Sequence, residues 1–178
     1  DCTVNYDNIS YVHGKYDEEE LEKELMIPQR GDLVYHNYSK YNCKRALAFC
    51  STKKHAEYMA ELFQNRGVKA AAVYSGTDGE YNLDRREALE ELKDGRLQII
   101  FSVDMFNEGL DVKNIDIVLF LRPTQSPTVF LQQLGRGLRT AEGKSYLTVL
   151  DFIGNYKKAN LLPFLLSGQK YQKQIARS

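Results

Sequence analysis

Gln132, Arg136 and Arg139 stand at i, i+4 and i+7 in the stretch FLQQLGRGLR, so a helix there presents an amide and two guanidiniums on one face. Leu131, Leu134 and Leu138 fall on another face and can pack on a sheet. Arginine stays charged and meets phosphate oxygens in a planar fork, which suits it to stabilising charge that develops in phosphoryl transfer. Gly135 and Gly137 flank the first arginine. Each glycine in a helix interior costs about 1 kcal/mol relative to alanine. Their use here is to let a bulky partner, a phosphate chain or another domain, approach the backbone. An isolated Arg-x-x-Arg reads as a solvated basic face; the added glutamine and glycines make this one a phosphate-facing candidate.

The elements that must position such a face are legible as an alternation. RALAFC (45–50) is nearly continuous in apolar character, as a parallel strand covered on both faces would be. In STKKHAEYMAELFQNRG, Ala56, Met59, Ala60 and Phe63 lie at helical spacing, Ser51 or Thr52 can cap the start, and Gly67 can close the end. VKAAAVY then reads as a strand, NLDRREALEELKDG as a helix ended by Gly95, and LQIIF and IDIVLF as strands. A helix opening at Ser126 with Pro127 in its first turn and the strand SYLTVLDF follow. Strands and helices alternating at this pitch predict an α/β fold, an open parallel sheet with helices on both faces. Ligands of such sheets lie beyond the carboxyl ends of the strands, which points to the loops after Cys50, Tyr74, Phe101, Leu121 and Phe152.

Residues 1–43 fit the alternation less well and read as a lead-in with one extended piece and two helices. DEEELEKEL offers a capping box from Asp17 to Glu20, and DLVYHNYSKYN places Val34, Tyr38 and Tyr41 on one helical face. Residues 44–167 form the main domain, and residues 168–178, with Lys170, Lys173 and Arg177, read as a polar tail or the start of a following element.

Bulk properties narrow the chemistry. The 178 residues suit one core, and 24 basic residues balance 24 acidic ones, so any grip on nucleic acid has to be local. Cys2, Cys43 and Cys50 show neither CxxC nor zinc spacing, and His13, His36 and His55 are scattered, which predicts reduced thiols and no metal site. No apolar run approaches a membrane span and no signal peptide is visible, so the chain reads as cytoplasmic. Starting without methionine and ending in QKYQKQIARS, it reads as a piece of something longer. Gly143, Lys144 and Ser145 spell the end of a phosphate-binding P-loop, but position 138 is leucine where that loop needs glycine. The segment also runs from helix to strand, the reverse of a P-loop, and no DEAD or DExH acidic cluster is present.

QQLGRGLR resembles motif VI of superfamily 2 helicases of the DEAD/DEAH type, whose pattern is Q-x-x-G-R-x-x-R. SVDMFNEGLDV (102–112) resembles motif V, AFCSTKKHAEYMAELF (48–63) resembles motif IV with its helix, and VYSGTDGEYNLDRREALEELKDG is similar to the segment between them. The likeness spans roughly residues 44 to 155 in the family's order.

The resemblance implies a second RecA-like domain, the C-terminal half of a two-domain ATP motor. ATP with Mg2+ would be held mainly by an N-terminal RecA-like domain not contained in this sequence. Gln132, Arg136 and Arg139 would face the cleft between the domains as the catalytic group, with Gly135 beside them. Gly109 would allow a tight turn and Asp111 would reach the ribose or the motif VI arginines. Ser102, Val103 and Asp104, with Ser51, Thr52, Ser75 and Gly76, would approach the nucleic-acid backbone, where hydroxyls and main-chain amides grip phosphate without reading sequence. For Ser51 and Thr52 a plain helix cap stays equally open. Val103 and Glu108 stand where the RNA helicases carry threonine and arginine, and EGLD and VLDFIGNY look more like the restriction and DNA-repair branch, so DNA is favoured over RNA. The alternative is an interaction module that keeps the fold with its arginines merely solvated.

Overall fold

The computed structural model describes residues 9–12, 15–41, 45–76, 78–104, 115–122 and 147–152. Their elements, in chain order, are β1 (Tyr11–Val12), β2 (Lys15–Tyr16), α1 (Glu18–Leu25), α2 (Pro28–Ser39), β3 (Ala46–Phe49) and α3 (Lys53–Gln64). There follow β4 (Ala70–Val73), α4 (Arg85–Asp94), β5 (Ile99–Ser102), β6 (Ile117–Phe120) and β7 (Thr148–Asp151). β1 and β2 form a small antiparallel hairpin. The other five strands make one parallel sheet in the order β4-β5-β3-β6-β7.

Alternate residues of each strand feed two cores. Ala46, Ala48, Ala70, Ala72, Ile99, Phe101, Ile117 and Leu119 pack with Ala56, Met59, Ala60 and Phe63 of α3 and with Val34 and Tyr38 of α2. Leu47, Phe49, Ala71, Val73, Ile100, Val118 and Phe120 pack with Ala88 and Leu92 of α4 on the opposite face. That arrangement requires strands apolar on both sides, and β3 to β6 are buried at every position. The alanines of β4 leave room for α3, and the volume is filled from above by Phe63. Its ring lies 5.0 Å from that of Phe101, 5.2 Å from Tyr38 and 5.3 Å from Tyr35.

The helix ends follow the side chains at hand. Thr52 Oγ1 accepts from His55 N–H at 3.2 Å to cap α3, and Asp84 accepts from Arg86 N–H to cap α4. Behind α3, Val68 N–H donates to Phe63 C=O at 3.0 Å and Gly67 N–H to Gln64 C=O at 2.9 Å, with Gly67 at φ +79. Gly95, at φ +76, closes α4 as its sequence suggests.

Two details of the lead-in depart from expectation. The capping box of α1 is half made: Asp17 accepts from Glu20 N–H at 3.0 Å, but the Glu20 carboxylate accepts from Ser10 N–H at 2.7 Å, while Asp17 N–H donates to Ser10 C=O. Ser10, just ahead of β1, takes the acid that would have closed the box. The second helix starts at Pro28, not near Asp32, because proline fits the first helical position; it ends at Ser39, which leaves Tyr41 exposed instead of on the face of Val34 and Tyr38. The expected helix at Ser126 and the GKS segment at 143–145 lie outside the described residues, as does the 168–178 tail.

Candidate nucleic-acid interface at the carboxyl edge of the sheet

The parallel register makes the strands end level. The last aligned row is Val73, Ser102, Phe49, Phe120 and Asp151, crossing the sheet from β4 to β7. The following residues therefore emerge along one edge. Among them are Ser51 and Thr52 after β3, Ser75 and Gly76 after β4, and Val103 and Asp104 after β5, the three strands that lie side by side at one end of the sheet.

Not all of these residues present a polar group at that edge. Ser102 is buried, and its hydroxyl donates to Ala48 C=O at 3.2 Å. Thr52 is buried and spends its hydroxyl on the α3 cap. Val103 packs against the core. The hydroxyl of Ser51 is buried and has no hydrogen-bond partner among the described residues. Ser75, Gly76 and Asp104 are exposed, with Gly76 at φ +113 and Asp104 at φ +53.

The loop carrying Ser75 and Gly76 is braced from two sides. Asn82 accepts from Tyr74 N–H at 3.2 Å and donates to Gly76 C=O at 2.9 Å. Glu57, from α3, accepts from Tyr74 Oη at 2.8 Å and from Tyr81 N–H at 3.2 Å. Burial of the Tyr74 phenol, with the Glu57 carboxylate beside it, raises its pKa far above the ordinary tyrosine value and keeps it a donor. The loop also covers the outer edge of β4, where Ala72 N–H donates to Tyr81 C=O at 2.8 Å and Leu83 N–H to Ala72 C=O at 3.0 Å.

Sequence reasoning missed two cations here. Lys53 opens α3, and its Nζ lies 4.0 Å from Asp78 Oδ1 and 5.3 Å from the centre of the Tyr74 ring. Lys53 and Lys54 occupy a first turn that holds no acidic residue, against the preference of the helix dipole. That dipole-unfavourable pair was a readable signal for an anion nearby. Arg122, just past β6, forms an ion pair with Asp104; nothing in the sequence tied it to a residue 18 positions earlier.

Gln132, Gly135, Arg136, Arg139, Gly109 and Asp111 lie outside the described residues. Among the described residues, no His, Cys, Asp and Glu side chains gather into a group able to hold a metal ion. No described helix is long and apolar enough to cross a membrane.

The family model of the helicase conserved C-terminal domain matches residues 29–141. The chain belongs to that family. This helicase C-terminal domain is 32% identical over 119 residues to the putative ATP-dependent helicase IRC3 of Saccharomyces cerevisiae, covering 67% of this chain and 17% of that protein. It is 30% identical over 133 residues to UvrABC system protein B of Natronomonas pharaonis, covering 72% of this chain and 19% of that protein. The domain thus spans less than a fifth of the length of either relative. Among solved structures it is similar to T4 UvsW, with a TM-score of 0.57 at 24% identity over 78% of this chain and 28% of that one. That likeness is one of fold, and it agrees with the RecA-like parallel sheet expected from the sequence.

Proposed function

We propose that this helicase C-terminal domain is the second half of an ATP-driven nucleic-acid motor, joining an N-terminal RecA-like domain that holds Mg-ATP. The observation that carries this reading is the level edge of the sheet. It sets the candidate backbone-contact loops after β3, β4 and β5 side by side, inside a chain matched by the helicase model. In this reading Arg136 and Arg139 neutralise charge on the transferring phosphoryl group, Gln132 orients beside them, and Gly135 allows the close approach. Gly109 and Asp111 serve the nucleotide from the neighbouring loop. Ser51, Ser75, Gly76 and Asp104 line the track of the backbone, and Thr52, Ser102 and Val103, whose side chains are engaged in the fold, hold the strand ends beneath it. DNA is the favoured strand: Val103 and Glu108 depart from the RNA branch, and EGLD and VLDFIGNY resemble the restriction and DNA-repair branch.

The test is made in the protein joined to its ATP-binding half. Arg136→Ala and Arg139→Ala should each lower strand-stimulated hydrolysis by at least about tenfold, since arginine fingers contribute about 10³ to 10⁵ in rate. Thermal stability should change little, and Arg→Lys should rescue poorly because an ammonium lacks the planar fork. Normal stimulated hydrolysis by both alanine variants would overturn the assignment.

A further inference from the structure

Asp104 and Arg122 leave the two strands that flank β3. The last row across these strands is Ser102, Phe49 and Phe120, and the ladder continues one step beyond it. There Cys50 N–H donates to Ser102 C=O at 2.9 Å and Leu121 N–H to Phe49 C=O at 3.0 Å. Asp104, Ser51 and Arg122 are each two residues past that row. Strands next but one to each other lie roughly 10 Å apart. The guanidinium of Arg122 therefore has to cross the end of β3 to reach Asp104, and its Nη1 donates to Asp104 Oδ1. Its charge is felt at that strand end, where it opposes the upward push of burial on the Cys50 thiol. The residue past β3 in the same row is Ser51, whose buried hydroxyl has no partner among the described residues.

Two features of the bridge concern its Asp104 side. Asp104 stands at φ +53, in the left-handed region that aspartate and asparagine adopt more readily than other non-glycine residues. The pair is open to solvent on the Asp104 side, whose side chain is 65% exposed against 21% for Arg122, so the carboxylate has water as an alternative partner. A phosphodiester offers the same guanidinium a charge-assisted, forked acceptor.

We propose that Asp104 is a built-in competitor for a nucleic-acid phosphate, occupying Arg122 across the mouth of β3 until a backbone phosphate displaces it and pairs with Arg122. The inference rests on the nucleic-acid reading of this edge and adds to it a cation and a release step.

The test uses this chain and a labelled oligodeoxythymidylate, with binding followed by fluorescence anisotropy across a salt series. Asp104→Asn keeps a side chain that tolerates positive φ and removes the competing charge, so it should bind about two- to fivefold more tightly. Arg122→Gln should bind more weakly, with the slope of log affinity against log salt reduced by about one. Arg122→Lys should keep most of that slope. The double variant should match Arg122→Gln alone, because Asp104 acts through Arg122. A double variant that keeps the full gain of Asp104→Asn would show simple loss of repulsion and overturn the proposal. So would an Arg122→Lys that loses the slope as fully as the glutamine variant. Absence of salt-dependent binding by the unmutated chain would instead remove the nucleic-acid reading on which the proposal stands.

Discussion

His55 shows how a single residue couples this fold to pH. It lies buried in the first turn of α3, its Nδ1 without a partner among the described residues, and desolvation, followed by the nearby Arg30 guanidinium, lowers its pKa from 6.5 to about 4. The folded state keeps the ring neutral while the unfolded chain protonates it near its ordinary value. Between those two values the unfolded state binds more protons, so stability falls as pH drops from 6.5 toward 4. A shift of that size corresponds to something on the order of 3 kcal/mol. Denaturant melts at a series of pH values check this: His55→Gln should flatten the dependence within that window. An unchanged slope would mean that the imidazole is not held neutral. In the sequence His55 is only one of three scattered histidines, because helical spacing gives the apolar stripe of α3 but not how far around the helix its cover extends.

At the scale of elements, the strands were legible because each carries its burial in its own composition. ALAF and IIF are apolar at consecutive positions, and only a sheet covered on both faces satisfies that pattern. The caps at Thr52 and Gly95 were equally local. The contacts that crossed between elements were hidden: Glu57 on Tyr74 and Tyr81, Asn82 on Tyr74 and Gly76, Arg122 on Asp104. Two glycines separate the local from the nonlocal. Gly67 has φ +79 and open space around the position of a Cβ, so Gly67→Ala meets only the backbone penalty, about 1 to 2 kcal/mol. Gly79 has φ +134, and a Cβ there would run into Tyr74 Oη and come within 2.7 Å of Glu57 Oε1. Gly79→Ala should therefore destabilise by about 2 to 4 kcal/mol and break the brace beneath Ser75 and Gly76. Denaturant melts followed by circular dichroism would compare the two. Equal losses would show that the Glu57–Tyr74 brace yields without resistance.

At the scale of the molecule, the balanced charge of 24 basic and 24 acidic residues leaves no long-range field, so what attracts phosphate must be concentrated. The start of α3 does this, with Lys53 added to the positive end of the helix dipole beside the loop after β4, while Lys54 is paired with Glu22 of α1. Holding a triphosphate demands more than such an edge. A P-loop wraps it in backbone amides and adds a lysine, and position 138, where that loop would need glycine beside the GKS of 143–145, is leucine. Guanidiniums at 136 and 139 would meet ATP with no cradle beneath it. This chain by itself should consequently bind Mg-ATP only weakly and release no phosphate from it. Calorimetric titration with Mg-ATP, with a phosphate-release assay on the same sample, measures both. Micromolar binding or turnover by this chain alone would mean that it carries its own nucleotide site, and the half-motor reading would fall.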